Sequence, residues 1–210
     1  MAQVLKTINL TNLQGVPPEP LTARILDAAQ AEFISFGLRR ATLEDITKRA
    51  DVGRMTLHRR FPNKQALIEA VFARENSRII AAVADAAARH DSIVDGLVEG
   101  LAAGIIATRE HPLFKRLVET DPEAIIPYFT LEARPLMADA TKYVLQQFNP
   151  KVQGRRPTAE MRRTAEAIVR ICHSILLTPE GVTDLRDHQA LRRFLKPPIA
   201  ALVASVHSPA

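Results

Sequence analysis

Apolar residues recur along most of this chain at the three-to-four residue spacing of an amphipathic helix. The first such segment covers residues 22–36, and Gly37 follows it as a natural C-terminal cap. Its buried face is predicted to hold Ile25, Leu26, Ala29 and Phe33. Residues 1–20 show no sustained periodicity and end in V-P-P-E-P, so we predict a flexible tail, either a disordered leader or an arm that contacts DNA.

The pattern between residues 42 and 64 predicts two short helices joined by a tight turn. Thr42 is a good N-cap, and Asp45 three residues later completes a capping-box pattern. Leu43, Ile46 and Ala50 then form one buried stripe. The turn is predicted at residues 51–53, where the glycine supplies the backbone angles that the turn needs.

The second short helix is predicted from Arg54 to Phe61, because Pro62 ends it. Its inner face holds Leu57 and Phe61. The other side chains are predicted to face mostly outward: Arg54, Met55, Thr56, His58, Arg59 and Arg60. An exposed helix dense in Arg, Thr and His suits the major groove of DNA, so this stretch predicts a helix-turn-helix.

Longer helical patterns follow. One covers residues 63–90, with Asn63 as its N-cap, and the next covers residues 91–107. The second carries three glycines spaced four apart: Gly96, Gly100 and Gly104. In a membrane this spacing would indicate dimerisation, but here we predict a close crossing of helices within the core.

Prolines at 112, 122, 127 and 135 predict a region of short, offset helices. Such irregular packing can leave an apolar cavity, although each candidate lining residue taken singly is better explained as ordinary core. The candidates are Phe114, Tyr128, Phe129, Met137 and Tyr143. After a basic loop at 149–157, interpreted as a solvated connector, two last helices are predicted at residues 158–178 and 187–206.

Composition supports an all-α chain of about nine helices, because glycine is sparse and β-branched runs are short. The single cysteine cannot form an internal disulfide, which favours a reducing compartment. We see no signal-peptide pattern, and the most apolar window contains Asp95 and Glu99 and is too short to span a bilayer. We therefore expect a cytoplasmic protein that does not associate with membranes.

The positive charge is concentrated in one segment. Of a net charge of +5, residues 21–68 carry nine Lys and Arg against five Asp and Glu, while the residues after 68 carry 18 against 17. The excess therefore coincides with the helix-turn-helix pattern, where it can face phosphates.

Catalytic and metal-binding motifs are absent from the sequence. Cys172 and His173 are adjacent on a predicted helix and face different directions, and no H-x-x-x-H, C-x-x-C, Gly-rich phosphate loop or G-x-S-x-G is present. We expect neither an enzyme nor a resident cofactor or metal.

The amino-terminal residues resemble the TetR/AcrR family of bacterial transcriptional regulators. The family pattern T-x-x-I-L-x-A-A-x-x-x-F-x-x-x-G is met at residues 22–37, and A-G-V-S-x-G-T-L-Y-x-H-F-x-x-K-x-x-L is largely met at residues 50–67. The second pattern departs at Asp51, Gly53, Met55, His58 and Arg60. His58 replaces a phosphate-contacting Tyr with another donor, Arg60 adds charge, and Met55 changes the surface offered to bases.

The resemblance implies a three-helix DNA-binding domain at 21–68 and a helical ligand-binding and dimerisation domain at 69–206. It implies a repressor that binds a palindromic operator as a homodimer, paired through its C-terminal helices, and that is released by a small apolar effector. We expect Arg54, Met55, Thr56 and Arg59 to read base edges. Thr42, His58, Arg60 and Lys64 are expected to hold phosphates. Two alternatives stay open: a DNA-organising protein of this fold without an effector, and an all-α carrier of apolar metabolites.

Overall fold

The computed structural model describes residues 19–148 and 156–207, and these residues form ten α-helices and no β-strand. The all-α prediction is confirmed, with one helix more than the nine expected. The helices are α1 (Pro20–Arg40), α2 (Leu43–Ala50), α3 (Arg54–Arg60), α4 (Lys64–Ala87), α5 (Ile93–Glu110), α6 (Pro112–Thr120), α7 (Pro122–Phe129), α8 (Arg134–Phe148), α9 (Ala159–Leu177) and α10 (His188–His207). The predicted tail lies outside the described residues apart from Glu19 and Pro20, as does most of the basic loop.

The chain divides into two compact units. The first contains the described residues up to Arg78 together with Glu110–Ala133, and the second contains Ile79–Arg109 and the described residues from Arg134 onward. In the first unit α1 packs against α2 and α6, and α6 packs against α7. The unit therefore holds the whole predicted helix-turn-helix segment and, in addition, two helices that follow much later in the chain.

Prolines begin the short helices of the first unit. Pro112 and Pro122 each occupy the first turn of a helix, where the missing amide hydrogen costs nothing. His111 caps α6 through its ring nitrogen Nδ1, which accepts a hydrogen bond of 3.2 Å from the backbone N–H of Leu113. The predicted region of short, offset helices is present: α6 has nine residues and α7 has eight.

The core of the first unit is built from the predicted helix faces. The residues buried there from the first four helices include Ile25, Leu26, Ala29, Phe33, Ile46, Ala50, Leu57, Phe61, Leu67 and Val71. Asn63 caps α4, since its side-chain Oδ1 accepts from the backbone N–H of Ala66 at 2.8 Å. The periodicity of the sequence thus placed these side chains correctly.

The turn between α2 and α3 differs from the prediction. The left-handed residue is Asp51, with φ 48° and ψ 55°, whereas Gly53 has the extended angles φ −70° and ψ 146°. The prediction that the glycine supplies the unusual backbone angles was therefore wrong. Asp tolerates the left-handed region better than most residues, because its short polar side chain can bond locally.

The second unit has its own apolar core, formed by α5, α8, α9 and α10. The glycines of α5 lie against the part of α4 that belongs to this unit: a Cβ on Gly96 would stand 3.2 Å from the carbonyl oxygen of Ala87, and one on Gly100 would stand 3.1 Å from that of Val83. The predicted close helix crossing is confirmed. None of the helices in the described part of the chain is long and apolar enough to cross a membrane.

Candidate nucleic-acid interface

Thr42 fixes the start of the helix-turn-helix. Its hydroxyl accepts a hydrogen bond of 3.1 Å from the backbone N–H of Asp45 and donates one of 2.5 Å to the carboxylate of the same residue. The N-cap prediction is confirmed, although the carboxylate binds the cap hydroxyl rather than the cap N–H. Asp45 and Glu44 also place negative charge in the first turn of α2, where the helix dipole favours it.

The short helix α3 presents a cationic face to solvent. Leu57 lies on its buried side, and Phe61 is buried just after its end. The exposed side chains are Arg54, Met55, His58 and Arg59, and the Met55 side chain is 81% exposed. Within residues 19–148 and 156–207, no hydrogen bond or ion pair engages Arg54, His58 or Arg59. These donors are free to meet an outside partner.

Arg60, by contrast, is engaged within the chain. Its Nη1 donates to the hydroxyl of Thr22 at 2.6 Å, and its Nη2 donates to a carboxylate oxygen of Glu19 at 2.7 Å. The side chain is only 26% exposed. An outward, phosphate-holding Arg60 is what the sequence predicts, since the two partners lie 38 and 41 residues away and local periodicity does not reveal them.

Lys64 stands at the start of α4 beside the last turn of α1. Its ammonium group donates to the carbonyl oxygen of Arg39 at 3.2 Å. Partial burial lowers the pKa of Lys64, while the negative charge of Asp121 acts in the opposite direction. The Lys64 side chain is therefore held close to the first turn of the helix, which suits the predicted contact with a phosphate.

Arg39 forms two ion pairs. Its guanidinium lies 3.3 Å from Asp121 and 3.2 Å from Glu123. From the sequence Arg39 is either a DNA contact or part of a solvated loop, and the structure adds a third role, since Arg39 joins the last turn of α1 to the junction of α6 and α7.

A buried polar network, which the sequence analysis did not detect, links α1, α4 and α6. Arg74 donates to Asp27 and Gln30 of α1 at 2.7 and 2.8 Å. Glu75 accepts from Arg74 at 2.9 Å and lies 3.1 Å from Nε2 of His111. Burial raises the pKa of Glu75, but the hydrogen bond to His111 and the charges of Arg74 and Arg78 outweigh it, so the pKa falls to about 2.

The five residues predicted to line a pocket are distributed over both units. Phe114, Tyr128 and Phe129 form a cluster in the first unit, with ring centroids 5.2–5.9 Å apart in edge-to-face pairs. Met137 and Tyr143 are partly buried against the core of the second unit. A common pocket for all five stays a prediction. Among the described residues, no group of three or more His, Cys, Asp and Glu side chains is arranged to hold a metal ion.

Comparison with known proteins agrees with this geometry. The family model of bacterial regulatory proteins of the tetR family matches residues 25–71. The uncharacterized HTH-type transcriptional regulator YvkB of Bacillus subtilis (strain 168) is 40% identical over 58 residues, which are 28% of this chain and 31% of that protein. The chain thus spans about a third of the length of the curated relative that it matches.

Solved structures extend the likeness beyond the amino-terminal helices. The TetR family repressor AlkX from Dietzia sp. strain DQ12-45-1b, implicated in biodegradation of n-alkanes, superimposes with a TM-score of 0.61 at 25% identity, over 90% of this chain and 100% of that chain. A transcriptional regulator from Cytophaga hutchinsonii ATCC 33406 has a TM-score of 0.58 at 18% identity, over 86% and 95% of the two chains.

The fold and the exposed cationic helix define a DNA-binding domain of the helix-turn-helix class. Its amino-terminal residues are similar to the DNA-binding domain of bacterial regulatory proteins of the tetR family.

Proposed function

We propose that this protein is a homodimeric repressor that binds a palindromic operator and is released by a small, largely apolar effector. The observation that supports DNA reading best is the exposed face of α3 formed by Arg54, Met55, His58 and Arg59, whose polar side chains make no hydrogen bond or ion pair with another described residue. A charged surface that folding leaves unpaired is available to an outside partner of opposite charge.

The roles of the individual side chains follow from the chemistry of the groove. Arg54 and Arg59 have the forked donors that bind a guanine edge, and the thioether of Met55 suits a thymine methyl group. Thr56, half-buried on the same helix, completes the base-reading set. His58 on this face, together with Thr42 and Lys64, holds phosphates. In a homodimer, two such helices about 34–36 Å apart meet successive major grooves on one side of the duplex.

The proposed effector is small and apolar. The short helices α6 and α7 carry a cluster of aromatic side chains. Pockets that bind apolar ligands are commonly lined by such side chains. The similarity to AlkX makes n-alkanes and comparably apolar molecules the first compounds to screen. Release requires that the effector bind more tightly to the state that does not fit the operator, because a ligand shifts an equilibrium only by its differential affinity.

Selection of bound duplexes from a random pool tests the DNA-reading part of this proposal. The selected sequence is then compared with a random duplex of the same length. We expect Arg54→Ala to relax sequence preference at one position, at a cost of about 1–3 kcal/mol on the selected duplex. Equal losses on selected and random DNA would show that Arg54 does not read a base.

Lys64→Ala tests the phosphate role on the same two duplexes. We expect weaker binding to both, and a slope of log affinity against log salt that is smaller by about one. An unchanged slope would exclude a phosphate contact by Lys64.

Two further measurements separate the alternatives. If no compound in an apolar panel changes the affinity for the selected duplex, an effector-free DNA-organising role is favoured. If the protein shows no sequence preference at moderate salt but binds apolar ligands, the carrier role is favoured.

A further inference from the structure

The helix that carries the cationic face is poorly held by its own backbone. It has seven residues, and its N-cap, Gly53, offers no side chain to the first free N–H groups. Helices of this length do not hold themselves in water, so their orientation is set by what they pack against. Leu57 is the buried side chain of α3 itself, and Phe61 is buried directly after it. Leu57 and Phe61 are four residues apart and lie on the same side of α3. These two contacts alone define the rotation of this short helix about its own axis only weakly.

Arg60, the last residue of α3, supplies a further point of attachment. Its two terminal nitrogens bind Thr22 and Glu19, which lie at the start of α1. A planar guanidinium that makes two directed bonds fixes orientation as well as distance, which an ammonium group does not. These two interactions of Arg60 with Thr22 and Glu19, called the tie below, therefore join the C-terminal end of α3 to the start of α1 in the first unit.

The charges at this tie argue against a direct phosphate contact. Glu19 is 61% exposed, so an unpaired carboxylate here would repel a nearby phosphate. While Arg60 is paired, the two charges cancel and the surface is neutral at this point. For Arg60 to reach a phosphate it would have to release both partners and leave Glu19 uncompensated. Arg59 on the same turn has no such restraint and is exposed.

We infer that Arg60 is a positioning residue for sequence recognition, and that Thr22 and Glu19 act with it by holding α3 at the angle that fits base edges. This inference rests on the proposed DNA-reading function, and it replaces the phosphate role predicted for Arg60 from the sequence. A positioning residue affects the fit to the right sequence and leaves the charge-driven affinity for any duplex unchanged.

Two variants test the tie without changing the net charge. Thr22→Val removes one hydrogen bond and keeps the shape of the side chain. The double variant Glu19→Gln/Arg60→Gln removes both charges at once, so the total charge that faces DNA stays the same. Each full-length variant is titrated against the selected duplex and against a random duplex at several salt concentrations, and Lys64→Ala serves as the control for a lost phosphate contact.

We expect the double variant to bind the selected duplex about tenfold more weakly and Thr22→Val about threefold more weakly. Both variants keep the wild-type affinity for random DNA and the wild-type salt slope. Arg60→Lys, which keeps the charge but lacks the fork, loses preference in the same way.

The opposite results are distinct. A salt slope that falls by about one in the double variant, as in Lys64→Ala, would show that Arg60 holds a phosphate and would overturn the inference. Unchanged preference in both Thr22→Val and the double variant would show that the tie does not position α3. Circular dichroism identifies a double variant that fails to fold, in which case Thr22→Val and Arg60→Lys decide. If the wild-type protein selects no sequence, the proposed function fails first, and this inference with it.

Discussion

Gly37 and Asp121 meet where the regular part of α1 ends. Although the helical assignment continues to Arg40, Gly37 has φ 77° and ψ 169°, so the regular helix stops at Phe36 as predicted. The carboxylate of Asp121, which is buried, accepts a hydrogen bond of 3.0 Å from the backbone N–H of Leu38. A side chain at position 37 would occupy the place of that carboxylate, since a Cβ there would lie 2.6 Å from its Oδ2.

Gly37→Ala is therefore expected to destabilise the first unit by at least about 2 kcal/mol, because strained backbone angles and a steric clash act together. Urea unfolding measures the change in the free energy of unfolding. Gly53→Ser is the matched control, since Gly53 has a negative φ and its added Cβ would meet no described atom closer than 3.9 Å. A loss in the control as large as in Gly37→Ala would contradict the explanation.

Glu75 makes the stability of the first unit depend on pH. Its pKa is lowered from 4.5 to about 2, so the carboxylate contributes stability above its unfolded pKa of about 4.5 and loses that contribution as pH falls towards 2. The shift corresponds to about 3 kcal/mol.

We expect Glu75→Gln to be less stable than wild type by an amount of this order at pH 6, and the difference to shrink as pH falls below about 4. Chemical unfolding at a series of pH values measures it. Glu119→Gln, at an exposed position 3.6 Å from Arg116, should change stability by less than about 0.5 kcal/mol at any pH. A difference for Glu75→Gln that stays constant with pH would show that ionised Glu75 is not its source.

Among the helices of the first unit, α6 is attached at both ends. At its start, Nδ1 of His111 accepts from Leu113, so the ring hydrogen must lie on Nε2, where it is donated to Glu75. At its end, Asp121 binds the last turn of α1, beyond the kink at Gly37, through Leu38 and Arg39. The helix therefore connects α4 with the loop that precedes Thr42 and the proposed phosphate contacts.

In the second unit, the contact of α5 with α4 depends on small residues. A Cβ at Gly100 would lie 3.1 Å from the carbonyl oxygen of Val83 and 3.2 Å from the hydroxyl of Tyr143. A backbone carbonyl within a helix cannot move aside as a flexible side chain does, so a Cβ at position 100 would have to push the two helices apart by a few tenths of an ångström.

Gly100→Ala is expected to lower stability by about 1 kcal/mol, even though alanine favours the helix itself by up to about 1 kcal/mol. Thermal unfolding followed by circular dichroism measures the effect. Gly181→Ala, in a loop where the nearest described atom would be 3.9 Å away, should leave the melting temperature unchanged. An increase in stability for Gly100→Ala would show that the two helices separate without cost.

For the whole molecule, the exposed apolar side chains of the second unit bear on assembly. Leu177 at the end of α9 and Phe194 on α10 are 44% and 45% exposed, although both helices are otherwise packed in the core. Large apolar side chains that are exposed on the surface of a helix are common where another subunit packs. They therefore support the proposed pairing through the last two helices.

Phe194→Glu is expected to convert the proposed dimer to a monomer, because a buried charge without a partner opposes association. Sedimentation measures the mass, and affinity for the selected duplex should fall at least about tenfold while binding to random DNA persists. Val182→Glu is the control, since Val182 is fully exposed in the loop between α9 and α10. Unchanged mass for Phe194→Glu would place the interface elsewhere.

The sequence by itself determined the all-α class, most helix positions and the capped start of the helix-turn-helix. These properties depend on local periodicity and on pairs of residues three or four positions apart. Both can be read directly from the amino-acid sequence. It also indicated the exposed face of α3, since Leu57 and Phe61 fix which side is buried.

Tertiary structure alone decided which charged groups remain available. Arg39, Arg60 and Asp121 look like ordinary surface residues in the sequence, and the partners described above are separated from them by 38 to 84 residues. It also decided which turn residue is left-handed: the unusual backbone angles were predicted at Gly53 and are found at Asp51. Periodicity shows which side of a helix is buried, but a pairing between distant side chains exists only after the helices have packed.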